Sequence, residues 1–137
     1  MSEQGGTDSR ELSESPVERV EDVIDVLLEA FDLDADVEVF EDDVEISAAI
    51  EGEDLGILIG RRGTTIDALQ LLCYRAAFVG REERKRVTVD AAGYRMRRRE
   101  TIDREADGAA HRALEAGKPV ELEPMSASER RLVHDRL

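Results

Sequence analysis

Gly60-Arg61-Arg62-Gly63 separates two short apolar segments, residues 55–59 and 66–77, and leaves the chain few ways to fold around it. Two glycines spaced in this way permit a corner that side chains would block, and they let the backbone approach a ligand without Cβ contacts. Thr64 or Thr65 is a candidate cap for a helix carrying Ile66, Leu69, Leu72, Cys73, Ala76 and Ala77, which Gly80 ends. A helix starting at such a corner turns free amides and its positive dipole end toward the loop, where Arg61 and Arg62 add two guanidinium groups. The spacing alone admits two readings, a plain helix-helix turn or a phosphate-binding loop.

The flanking periodicities supply the context. Ser15 and Glu18 have capping-box spacing with Pro16 between them, and Val17, Val20, Ile24, Leu27, Leu28 and Phe31 follow at helical intervals, which predicts a helix over 16–31. Val37 and Val39 alternate with acids, Glu41-Asp42-Asp43 makes a turn, and Val44, Ile46, Ala48 and Ile50 recur with period two. This is an antiparallel hairpin with Glu38, Glu45 and Glu51 on its outer face. Val87, Val89 and Ala91 make a third strand, with Thr88 and Asp90 on its other face. The order helix, strand, strand, helix, G-x-x-G, helix, strand predicts a small α+β domain over 16–92, with helices on one face of a three-stranded sheet. It is the arrangement of a KH domain, in which such a loop clamps single-stranded RNA while bases lie on an adjoining apolar groove. Here Gly60, Arg61, Arg62, Gly63 and Thr64 would hold phosphate, and Ile57, Ile59 and Ile66 would line part of the groove.

A second unit occupies 93–137. A long helix runs from Tyr94 to about Ala116, with Ile102, Ala106, Ala109, Ala110, Ala113 and Leu114 inward and a partly buried His111, and Gly117 and Pro119 stop it. Val120 and Leu122 predict a short strand, and Ser126 with Glu129 repeats the capping-box spacing before a last helix. Residues 1–15, polar for most of their length, read as a disordered leader.

Charge at first argues against a polyanionic ligand, since the 137 residues sum to -14. The average conceals two halves: residues 1–59 carry 20 acids against 2 arginines, net -18, and residues 60–137 carry 13 acids against 17 cations, net +4. Cys73 is the single cysteine, which fits a reducing compartment, and no apolar stretch reaches the length of a membrane span or a signal peptide. No P-loop, metal-ligand set or nucleophile motif is present, so neither an enzyme nor a cofactor or metal is expected.

Residues 52–63, followed by Thr65, Asp67, Ala68, Leu69 and Gln70, closely resemble the type II KH domain of the bacterial Jag/KhpB family. The resemblance continues through Val89-Asp90-Ala91, Tyr94 and Arg97-Arg98-Arg99-Glu100-Thr101. It returns in 119–126 and in Glu129-Arg130-Arg131-Leu132-Val133-His134, similar to the opening of that family's second module, the R-3-H domain. It covers roughly 17–137 and implies a cytoplasmic, single-stranded RNA-binding protein. It further implies a role in post-transcriptional control or RNA chaperoning linked to cell elongation and division, and a small KhpA-like KH partner. The alternative is a protein-interaction module that dimerises with another KH domain or a second copy and binds RNA weakly or incidentally, which the acidic half of net -18 suits. The R-3-H module of the family continues into further strands, so the module here is expected to be incomplete, and the N-terminal Jag-N domain of many members is not expected in this chain.

The resemblance makes Arg130 and His134 the signature of the second module; from their i, i+4 spacing alone, a solvated helix end is the better reading. Arg95, Arg98 and Arg99 share a helix face that is either a binding strip or an ion-paired surface, with Glu100 and Asp103 in reach. Arg84, Lys85 and Arg86 either extend a basic edge or guard the third strand. The acidic turn 41–43 is expected to repel RNA phosphate at short range.

Overall fold

The computed structural model describes residues 14–137; most of the expected leader lies outside them. The chain clusters into two compact units, one ending at Ala92 and one spanning Gly93–Leu137.

The first unit opens with α1 (Pro16–Ala30), where the Ser15 hydroxyl accepts the Glu18 N–H and Pro16 stands at the first helical position. Strands β1 (Ala35–Glu41) and β2 (Glu45–Gly52) pair antiparallel, and β2 pairs parallel with β3 (Arg86–Ala91), giving the sheet order β1-β2-β3. Parallel neighbours cannot be joined by a hairpin, so the chain crosses over through α2 (Gly56–Ile59), a 3-10 turn (Arg61–Gly63) and α3 (Thr64–Phe78).

Register puts Ile46, Ala48 and Ile50 opposite Val87, Val89 and Ala91, so all six side chains share one face, and all six are buried. Val20, Ile24 and Leu28 of α1, Leu58 of α2, and Ile66, Leu69, Cys73 and Ala77 of α3 cover them. Burial of each large aliphatic side chain here contributes about 1.5–3 kcal/mol. Leu72 differs from the expected pattern: it stands on the outward side of α3, half exposed. Buried Cys73 has its thiol pushed up to about 12, because burial disfavours the thiolate.

One buried side chain breaks the apolar pattern. Arg19, 9% exposed, donates from Nη1 to the carbonyls of Val79 (3.0 Å) and Ala76 (3.4 Å) at the C-terminal end of α3. A cation there satisfies helix-end carbonyls and opposes the negative end of the dipole. A second tie joins α3 to the sheet, with Gln70 Oε1 accepting the Val89 N–H at 2.9 Å.

In the second unit α4 (Tyr94–Ala116) ends at Gly117 in the left-handed conformation, and α5 (Ala127–Arg136) begins with a complete Ser126/Glu129 capping box. The expected strand at Val120 and Leu122 does not form: residues 119–126 pair with no strand among the described residues. Ile102, Ala106 and Ala109 form the buried line of α4, whereas Leu114 is exposed near its end. His111 is exposed too, 3.2 Å from Glu115 Oε1, and not the partly buried residue expected.

Replacing Arg19 with alanine should lower unfolding free energy by about 1–3 kcal/mol, the cost of leaving buried carbonyls unpaired, as read from urea denaturation.

Candidate nucleic-acid interface

The corner between α2 and α3 is built from backbone conformations that few residues accept. Gly60 has φ 74° and ψ 179°, Arg62 φ 57° and ψ 26°, and Gly63 φ 78° and ψ 13°. At Gly60 a Cβ would also meet Thr65, lying 2.7 Å from its Cβ and 2.9 Å from its backbone nitrogen, so that glycine is required twice over. Arg62 holds the left-handed conformation with a side chain present, at a cost of roughly 1–2 kcal/mol.

Neither threonine caps α3. Gly63 occupies the N-cap position without a side-chain acceptor, and Thr64 Oγ1 instead donates to the Arg61 carbonyl at 2.9 Å. A 15-residue helix therefore starts without a capping side chain, its Thr64 N–H going to the Arg61 carbonyl, directly behind exposed Arg61 and Thr64 and half-buried Arg62. Such an end attracts anions through its amides and its dipole.

The apolar residues assigned to the groove separate. Ile57 is 58% exposed and Ile59 half-buried, so both reach the surface beside the loop. Ile66 is 0% exposed; it supports the corner from beneath and cannot line a groove.

The acidic turn lies elsewhere. Phe78, at the far end of α3, lines one small cavity with Lys85, and Lys85 Nζ bridges Glu41 Oε2 (2.8 Å) and the Asp42 carbonyl (2.7 Å). Loop and turn thus stand at opposite ends of α3, about 22 Å apart for 15 residues. Screening acts over roughly 8 Å at physiological salt, so the carboxylates of the turn would act on phosphate that comes close to the turn and little on phosphate at the loop. Asp42 serves its own turn, its Oδ1 accepting the N–H groups of Val44 and Glu45, and these bonds hold its carboxyl below the usual range. Arg86 lies 3.8 Å from Glu45, and Arg84 stacks 5.9 Å over the Tyr74 ring, so this basic run is absorbed in holding hairpin and helix.

In the second unit the arginines also divide. Arg99 is exposed and Arg95 half-buried, whereas Arg98 makes a fork to Glu129, Nε to Oε2 at 2.8 Å and Nη2 to Oε1 at 3.3 Å. That bond raises the Arg98 pKa above its ordinary value. Arg130 and His134 are exposed on α5 and line a hollow of about 840 Å³ with Val120, Leu122, Met125 and Val133. Arg136 forks onto Asp107, with both bonds at 2.8 Å.

Arg19 and Arg136 carry structural roles that the sequence did not show, as does Glu129 beyond its expected capping box, through its fork to Arg98. Arg19 had a signal, as the one cation of a helix otherwise ionised by acids, at a position adjoining the apolar stripe. Among the described residues no group of His, Cys, Asp or Glu could hold a metal ion, and no helix is long and apolar enough to cross a membrane.

The family model described as "KhpA/KhpB, KH domain" matches residues 17–90, and the R-3-H domain model matches residues 100–137. The RNA-binding protein KhpB of Clostridium symbiosum is 36% identical over 126 residues, covering 92% of this chain and 56% of the relative. That of Bacillus subtilis is 37% identical over 122 residues, covering 89% and 59%, and that of Streptococcus pneumoniae serotype 2 is 28% identical over 145 residues, covering 96% and 44%. The chain thus spans about three fifths or less of these relatives. On the KH match over more than half its length, the chain belongs to the KhpA/KhpB KH-domain family, with an R-3-H domain following the KH domain.

Proposed function

We propose that this protein binds single-stranded RNA, with the 60–63 loop as its principal phosphate site. The observation that carries the reading is the run of positive-φ residues presenting Arg61 ahead of an uncapped 15-residue helix. On this reading the start of α3 and the guanidinium groups of Arg61 and Arg62 would meet a sugar-phosphate strand of a few nucleotides, and Ile57 and Ile59 offer apolar surface for its bases. Arg95, Arg99, Arg130 and His134 form a second set of contacts on the R-3-H unit. The relatives' name, RNA-binding protein, supports the same ligand. On this reading the protein works in the cytoplasm as a post-transcriptional regulator or RNA chaperone, with a link to cell elongation and division.

Titrating single-stranded RNA across salt concentrations should give a log-log slope of about -2 to -3, for three to four neutralised phosphates. Replacing Arg61 and Arg62 together with aspartate should abolish binding without loss of the fold by circular dichroism. Unchanged affinity in that double variant rules out the loop.

One surface favours a second reading, association with another KH domain, either a small KhpA-like protein or a second copy. Leu71 and Leu72 are 55% and 51% exposed on the outward face of α3. Asp67, Leu71 and Arg75 lie on one i±4 ridge, so two antiparallel copies crossing at Leu71 would set Asp67 of each against Arg75 of the other. Sizing without nucleic acid separates the readings: a stable dimer that Leu71→Glu dissociates supports this one, and a monomer at all concentrations removes self-association.

A further inference from the structure

We propose that Arg98 is a positioning residue for RNA binding by the R-3-H unit: its fork to Glu129 sets the rotation of α5 and so aims Arg130 and His134 outward, and Arg98 does not itself hold phosphate. The inference rests on the RNA-binding reading above and deepens it for the second unit.

The two side chains are only 18% and 15% exposed, and both guanidinium edge nitrogens are committed to the carboxylate. The same carboxylate terminates α5. Glu129 Oε1 accepts the Ser126 N–H at 3.3 Å while Ser126 Oγ accepts the Glu129 N–H at 3.2 Å. One carboxylate therefore closes the capping box and locks it to α4. A phosphate that took Arg98 would strip Glu129 of its cation in a half-buried setting, an unfavourable exchange.

The helical period converts this lock into an aim. At about 100° per residue, Arg130 lies about 100° and His134 about 140° around from Glu129, so with Glu129 turned to α4 both point away from it and within about 40° of each other. Arg136 falls only about 20° from Glu129, and it grips Asp107 and, at 3.6 Å, Asp103 on α4. Half-buried Leu132 and Val133 lie on the same inward side. Two clamps, two turns apart, agree on one rotation. The Arg136 clamp is far more exposed and so more screened, which leaves Arg98–Glu129 as the determining contact.

The test titrates a fluorescein-labelled 12-nucleotide single-stranded RNA into the full chain across potassium chloride concentrations, with circular dichroism on every variant. Arg98→Met and Arg98→Lys should weaken binding alike, by about three- to tenfold, because lysine keeps the charge but cannot make the fork. Neither should change the log-log salt slope, and the Arg98→Glu/Glu129→Arg pair should bind more tightly than Arg98→Glu alone. Arg130→Ala/His134→Ala should both weaken binding and flatten the slope by about 0.7 or more. The proposal is overturned if Arg98→Met flattens the slope by about 0.7 while Arg98→Lys retains affinity, the signature of a direct phosphate contact. Arg98 variants without effect on affinity overturn it as well. If Arg130→Ala/His134→Ala changes nothing, the RNA role of the second unit falls, and with it anything for Arg98 to position. A wild type that does not bind the oligonucleotide sinks the RNA reading as a whole.

Discussion

The parallel pairing of β2 with β3 is the constraint on which the first unit depends. Two parallel neighbours oblige the chain to leave one end of the sheet and re-enter at the other, and the returning segment must cover the apolar face it passes. An eight-residue strand spans about 26 Å, and the 15 residues of α3 return about 22 Å of it. What remains is a corner at one end, short and sharp enough to need Gly60 and Gly63. The loop is thus the place where the crossover has to turn, and its exposure follows from topology.

That topology also sorts charge. Residues opposite in register share a face, so the outward side of the sheet collects Asp36, Glu38, Glu45, Glu51 and Asp90 against Arg86. The outer side of α1 adds Glu18, Glu21, Asp22, Asp25 and Glu29. Arg61 and the uncapped amides of α3 stand at the corner instead. A polyanion meets repulsion over most of this unit and attraction at one end, a distribution that favours one orientation of approach and keeps long-range capture weak.

Much of this was legible in the residues. Period-two runs at 46–50 and 87–91 predicted strands because burial on one face requires alternation, and the capping signals at Ser15 and Ser126 and the stop at Gly117 predicted helix ends because those groups act locally. The failures share a cause. Ile66 and Ile57 are alike in sequence, yet one is sealed beneath the corner and the other is open, a difference only tertiary packing decides. The Val120 and Leu122 alternation suits a strand, but a strand needs a neighbour to bond, and residues 119–126 have none among the described residues. Arg98 is equivalent to Arg95 and Arg99 by spacing, and only Glu129, 31 residues away, sets it apart by taking its guanidinium.

The sheet leaves two edges, β1 and β3, where unpaired backbone could recruit a strand from another molecule. On β3 the Val89 N–H is taken by Gln70, and β1 carries Asp36, Glu38 and Glu41 along its length. A second chain adding to β1 in register would bring its own carboxylates against these, so aggregation through the sheet is opposed by the same acids that give the first half its negative charge. That protection weakens where salt screens the charge or acid removes it: the acidic edge is a colloidal safeguard, set by ionic conditions and independent of whatever the loop binds.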